Sequence, residues 1–385
     1  MKKAYNEIWV ENIDNQVFIK NWHKQKMLND EQFEIAQTLF PVEFHRSNIF
    51  IKVGLFLFTN IVASAGIGFV SIFFASFFSE STQNFAIICL IYSGIFFYFL
   101  EFFIKKNNFY RSGVDNALLY AMLCALITFF VAITEFNLPF WAYLAFSLVI
   151  LLPSLLRYAD PLVAIAIYLT WVALWFSVIT KFPIGKVIIP FIIMLVSIGS
   201  YVLIHIWRKR TNSSYYTDCQ DIIEILTLMT FYLGGNYLVV REGNATLNGL
   251  SVSVQIDFAP LFYFFSVAIP LFYIVRGLQK HDRKLLIVGI LAFAFSIFTY
   301  RQYFSVLPLE WALSIGGTLL ILFSVLTIRI LKLPKFGLTY EPNDTNKFQN
   351  LEAFIINQVI QQPNHSEKTQ FGKGDFGGGG AGSKY

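Results

Sequence analysis

The last fifteen residues, "FGKGDFGGGGAGSKY", hold the residue types that cradle phosphate. Gly372, Gly374 and Gly377 spell G-x-G-x-x-G, and Gly377 to Lys384 come close to a P-loop. Both patterns work by wrapping backbone N–H groups around a phosphate at the N-terminus of a helix. Only eight residues follow Gly377, too few for that helix, and Ser383 precedes Lys384 where a P-loop needs the reverse order. With seven glycines among these fifteen residues, 371–385 reads instead as a disordered tail. Its aromatic residues Phe371, Phe376 and Tyr385 offer contacts for a partner.

A second group lies within the apolar region. Asp218, Asp221 and Glu224 recur every three residues and mark one face of a helix start. Two readings of Glu224 follow. Facing the interior of a helical bundle it binds a cation or a proton; at the membrane interface it is a solvated helix end, favoured by the macrodipole. His205 lies beside "RKR" and reads as an interfacial residue, while Arg157 and Asp160 share a short connection and are expected to pair. No G-x-S-x-G or H-E-x-x-H occurs, and no His and carboxylate set has metal-ligand spacing. The chain is therefore expected to be no enzyme, with no catalytic, cofactor-binding or metal residues and no nucleic-acid partner.

The elements that carry these residues are set by composition. Hydrophobic residues make up 56% and charged residues 14%, against roughly 25% charged in soluble domains. Such a chain needs the lipid bilayer as its partner. Ten stretches approach the ~20 apolar residues that cross a bilayer: 53–78, 85–104, 116–134, 138–156, 161–179, 187–207, 221–240, 258–275, 285–303 and 309–331. The seventh carries Glu224 with Gly234, Gly235 and Asn236. Pro153, Pro190 and Pro270 bend spans four, six and eight. The fold class is all-α, a polytopic transmembrane bundle of about ten helices. Cys89, Cys124 and Cys219 are far apart, the first two within apolar spans; they are expected to be packed thiols.

Basic residues are retained on the cytoplasmic side. Eleven lie in the even-numbered connections: Lys105, Lys106, Arg111, Arg157, Arg208, Lys209, Arg210, Arg276, Lys280, Arg283 and Lys284. Four lie in the odd-numbered ones: Lys181, Lys186, Arg241 and Arg301. Both termini are thus expected in the cytoplasm, and insertion is expected to start from the first span because residues 1–48 lack a signal-peptide pattern. Residues 1–48 read as a small helical hairpin, with Val17, Phe18 and Trp22 on one face and a capping box from Asn29 to Gln32. The bundle takes residues 49–332. Residues 333–370 carry an amphipathic helix with Phe348, Leu351, Phe354, Ile355 and Val359, followed by the tail 371–385. Between Arg241 and Phe258, "LSVSVQIDF" alternates with period two, which predicts a β-hairpin pairing near Val239.

"FIKNWHKQKMLNDEQFEIAQTLF", then a Pro and "FIKVGLFLFT", resembles the start of a group of bacterial multi-pass inner-membrane proteins carrying a domain of unknown function. The resemblance covers residues 15 to 70 and implies a bacterial inner-membrane setting. Two functions remain open. One is a non-enzymatic membrane component that associates with itself or a protein partner through the N-terminal hairpin and the C-terminal helix. The other is a transporter or channel for a small solute, with Glu224, Asn236 and Pro270 on the path.

Overall fold

The structure, a computed structural model, describes residues 2–45, 48–73, 81–211 and 214–303, with positions 311, 314–318, 321–322, 325–326 and 329 beyond them. Among the described residues the regular elements are helices, and no strand forms. The chain divides into two units, one of residues 1–17 with 40–343 and one of residues 18–39 with 344–385. Within the described residues of the second unit, Asn29 and Gln32 form the expected reciprocal cap: Gln32 N–H donates to Asn29 Oδ1 at 2.7 Å and Asn29 N–H to Gln32 Oε1 at 3.1 Å. This cap opens α2 (Asp30–Leu39), which ends before Pro41 as proline requires. The preceding α1 spans Glu7–Lys24. Ile19 is its fully buried apolar residue, Phe18 and Trp22 are half-buried and Val17 is exposed, so the apolar face expected from Val17 is rotated.

The first unit is a bundle of long apolar helices. They are α3 (Ile49–Phe73), α4 (Thr82–Asn107), α5 (Val114–Ile133), α6 (Phe140–Tyr158), α7 (Pro161–Ile179) and α8 (Gly185–Thr211). After them come α9 (Thr217–Gly235), α10 (Tyr237–Leu247), α11 (Ala259–Lys280) and α12 (Arg283–Tyr303). Among the described residues eight of these ten are long and apolar enough to cross a membrane, and the α9–α10 pair passes the same test only when its two helices, bent by 73° to each other, are taken together. The seventh expected span is thus two helices. The tenth, 309–331, lies largely outside the described residues, as do the segments 333–370 and 371–385. Large side chains such as Phe58, Leu203 and Phe264 remain exposed on these helices, as lipid-facing positions would be.

Polar residues at the helix ends join the connections at one end of the bundle. Asp160 N-caps α7 by accepting from Leu162 N–H and Val163 N–H at 2.9 and 3.0 Å, and it also accepts from Tyr120 and Asn116 of α5. Arg157 does not pair with it. That guanidinium donates instead to Glu101 of α4 at 2.7 and 2.9 Å, where Tyr158 adds a third bond, because Asp160 is already occupied by backbone donors. Asp115, 1% exposed, is held by Arg111 N–H, Ser112 N–H and the Ser112 and Tyr5 hydroxyls.

Tyr5 belongs to the N-terminal stretch, so residues 2–17 are part of the bundle end and not a free appendage. Ala4 N–H donates to Arg157 O, Arg157 donates to Lys2 O, and Trp9 packs edge-on to Phe44. Burial, and then the neighbouring Asp115 carboxylate, push the Tyr5 phenol well above its ordinary pKa, which keeps it a proton donor at neutral pH.

Two further expectations change. Residues 250–257 form no strand, because Val239 is committed to α10, the turn of which begins at Asn236. The segment is held irregularly instead: Arg241 donates to Ser253 O at 2.8 Å, and Ile256 is buried in a cluster with Tyr237 and Phe262. Cys89 and Cys219 are buried as expected, but Cys124 is exposed on α5.

Tyr5→Phe removes one donor from a buried carboxylate, and the expected cost is about 1.5–3 kcal/mol. Thermal unfolding of the detergent-solubilised protein measures it; an unchanged midpoint would mean that the N-terminal stretch contributes nothing to the bundle.

Candidate functional site

Helix α9 carries the polar residues that matter, and its sequence explains why. Glu224, Leu228, Tyr232 and Asn236 recur every four residues and form one stripe. Lys284, Val288, Ala292, Ser296 and Thr299 form the matching stripe on α12. The two meet along a seam that is ionic at one end, apolar in the middle and hydroxyl-lined at the other. Lys284 Nζ lies 2.6 Å from Glu224 Oε2, Leu228 packs in one cluster with Val288 and Ala292, and Tyr232 OH lies 2.9 Å from Ser296 Oγ.

Glu224 is 2% exposed and is neither a solvated helix end nor a free acid. Besides Lys284, Arg208 approaches it at 3.2 Å, and both cations also reach Asp221 at 2.6 and 2.8 Å. Two carboxylates therefore face two cations. The His205 ring is nearby, with Nε2 at 3.8 Å from Glu224 and Nδ1 at 3.1 Å from the Tyr201 carbonyl. The arrangement ties α8, α9 and α12 together at the basic end of the bundle. Among the described residues no group of three His, Cys, Asp or Glu is placed to hold a metal ion.

Asn236 sits twelve residues further along, roughly 18 Å away at helical rise, and is fully buried at the break between α9 and α10. A break exposes the first N–H groups of the new helix, and each has a partner. Asn236 Oδ1 accepts from Leu238 N–H and Val239 N–H at 3.1 and 3.3 Å, and Ser266 Oγ accepts from Tyr237 N–H at 2.9 Å. Its amide donates to Tyr232 OH and Thr299 Oγ1 at 2.9 and 3.0 Å.

Pro270 belongs to the same network through its missing N–H. In an α-helix residue 270 would donate to the carbonyl of Ser266. The Ser296 hydroxyl of α12 donates to that carbonyl instead, while Ser266 uses its own hydroxyl on α10. The sequence marked Pro270 and Asn236 but gave no sign of Ser266, Ser296 and Thr299, which are unremarkable hydroxyls until the freed backbone groups are located.

On the opposite face of α9 a cavity of about 280 Å³ lies beneath α10. Its walls are apolar, including Val172, Phe176, Ile193 and Phe262, with Lys186, Asp257, Thr230 and Asn244 supplying polar groups. Gly234 lines its floor, and Gly235 follows it at the end of α9. A Cβ on Gly235 would fall 2.7 Å from the Ile269 side chain, and one on Gly234 would fall 3.0 Å from Met194 and 3.3 Å from the Pro190 carbonyl, so a larger residue at either position would force neighbours on α8 or α11 to shift. Of the three residues marked by sequence, Asn236 and Pro270 share one hydrogen-bonded network, and Glu224 stands apart at the other end of the seam.

No protein-family model, curated protein or solved structure matches the chain. What the helices carry is the coarser identity: this is a multi-pass membrane protein.

The coupling of Pro270 to Ser296 has a measurable signature. Ser296→Ala is expected to cost about 1–3 kcal/mol by leaving the Ser266 carbonyl unpaired. In a Pro270→Ala background, where the backbone N–H is restored, that cost is expected to shrink by roughly 1 kcal/mol. Strict additivity in a double-mutant cycle would show that the two residues do not share the carbonyl.

Proposed function

We propose that the chain is a transporter for a small, largely apolar solute that carries polar or charged groups, entering at the cavity beneath α10. The observation that carries this reading is the broken α9–α10 span with a 280 Å³ apolar cavity at the break. Interrupted helices are how membrane proteins place polar backbone and small cavities inside the bilayer. Lys186 and Asp257 in a largely apolar cavity suit an aliphatic zwitterion or a short amphiphile. Glu224 and its cations, at the far end of α9, then act as the closure on the other side, an ion-pair cluster that a conformational change must loosen.

The setting that fits is a bacterial inner membrane with the basic end of the bundle in the cytoplasm. The resemblance of residues 15–70 supports the first part. The retention of Lys105, Lys106, Arg111 and the "RKR" segment at one end supports the second. The reading is non-enzymatic and uses no cofactor.

Gly243 lines the cavity, and a Cβ there meets nothing within 4 Å. Gly243→Phe is therefore expected to fold, fill the cavity and abolish uptake of short-chain carboxylates or aliphatic amino acids such as leucine into proteoliposomes. Uptake at the wild-type rate would remove the cavity from the path.

A second reading has its own observation. Residues 2–17 are fixed to the bundle end, yet Ile8 and Val17 on α1 are 67% and 47% exposed. A rigidly held helix with outward apolar residues suits self-association or a protein partner. Mild crosslinking in native membranes followed by mass spectrometry tests it: a stoichiometric partner lost in the Ile8→Glu, Val17→Glu double variant supports assembly, and a pattern identical in both forms contradicts it.

A further inference from the structure

A second cavity, of about 560 Å³, opens along α11 between α8 and α9 and is separate from the one beneath α10. Its walls are Ile198, Phe231, Phe265, Ile269 and Phe272, and it extends from Phe264 to Lys280, a run of roughly 24 Å at helical rise. The polar groups gather toward one end. Arg276 and Lys280, both exposed on the last two turns of α11, line that end. The Arg276 guanidinium lies 5.7 Å from the Phe272 ring, and among the described residues no carboxylate stands within ion-pair distance of either cation. Nearby acids are already engaged: Asp282 caps α12 through Lys284 N–H and Leu285 N–H, and Asp221 and Glu224 hold Lys284 and Arg208.

An apolar groove of that length, ending in two cations without an ion-pair partner among the described residues, matches an amphiphilic anion in shape and charge. We infer that this groove is a specific site for an anionic membrane phospholipid, with an acyl chain lying along Phe231, Phe265 and Phe272 and the phosphate held by Arg276 and Lys280. The bilayer supplies the ligand. The groove is built from α8, α9 and α11 with Leu285 of α12 at its edge, so an occupied groove braces α9 from the side away from α10.

Native mass spectrometry of the full-length protein, titrated with phosphatidylglycerol and separately with phosphatidylcholine, tests this. The wild type is expected to retain phosphatidylglycerol in preference. Arg276→Gln combined with Lys280→Gln is expected to reduce that retention on the order of tenfold, with phosphatidylcholine adducts unchanged. Arg283→Gln, which removes a neighbouring exposed cation outside the groove, is expected to leave retention near the wild-type level. Ala268→Trp, which fills the groove with both cations intact, is expected to reduce it as well. Equal losses in Arg283→Gln and in the double variant would show diffuse surface charge and overturn the site. Unchanged retention in Ala268→Trp would overturn the placement of the chain in the groove.

Discussion

The structure depends on a constraint that water normally relaxes: a backbone N–H or C=O freed inside an apolar solvent must find a partner within the protein. Two of the places where the chain frees such groups are neighbours, the break after Gly235 and Pro270. It resolves both with one set of side chains. Asn236 and Ser266 take the new N–H groups of α10, and Ser296 takes the carbonyl that Pro270 leaves open. Tyr232 and Thr299 close the network. The bend of 73° is thus a defined angle set by side-chain partners on two other helices, and it holds α10 over a cavity.

The opposite end of the bundle follows the same rule with charges. Buried carboxylates occur at Glu101, Asp115, Asp160 and Glu224, and each is met by backbone donors, hydroxyls or cations. The two kinds of partner have different consequences. Asp115 is satisfied chiefly by short-range donors at a helix start and so fixes a connection, while Asp160 divides its oxygens between its own helix start and Asn116 and Tyr120 of α5. Glu101 and Glu224 are satisfied by cations from other helices and so fix helix against helix. Pairs of the second kind can exchange partners without unfolding a helix, which is why the Glu224 cluster fits a closure better than Asp115 does.

Much of the architecture was legible because lipid imposes simple lengths. Apolar runs gave the membrane helices α3 to α8, α11 and α12, and the cap from Asn29 to Gln32 gave the start of α2. Contacts between distant helices were not legible. Arg157 looked like the partner of Asp160 through nearness in sequence, but Glu101, fifty-six residues away, is the carboxylate within reach. The alternation in "LSVSVQIDF" suggested a strand, yet a strand needs a neighbour to pair with, and the candidate around Val239 is helical. Glu224 left two readings open because helical spacing names a face without saying what it meets. Its two cations lie sixteen and sixty residues away in sequence, on α8 and α12.

Transport by way of the cavity beneath α10 requires that water reach it at the break after Gly235. Thiol accessibility in sealed vesicles tests it most directly, using Gly243→Cys and Leu247→Cys in a background with Cys89, Cys124 and Cys219 replaced by Ala. Both sites are expected to react with a membrane-impermeant reagent from the side opposite residues 2–17, while Leu203→Cys, on the exposed surface of α8, stays unreacted. If Gly243→Cys reacted from neither side yet reacted fully once the protein was unfolded in detergent, the cavity would be closed to water and the transport reading would fail.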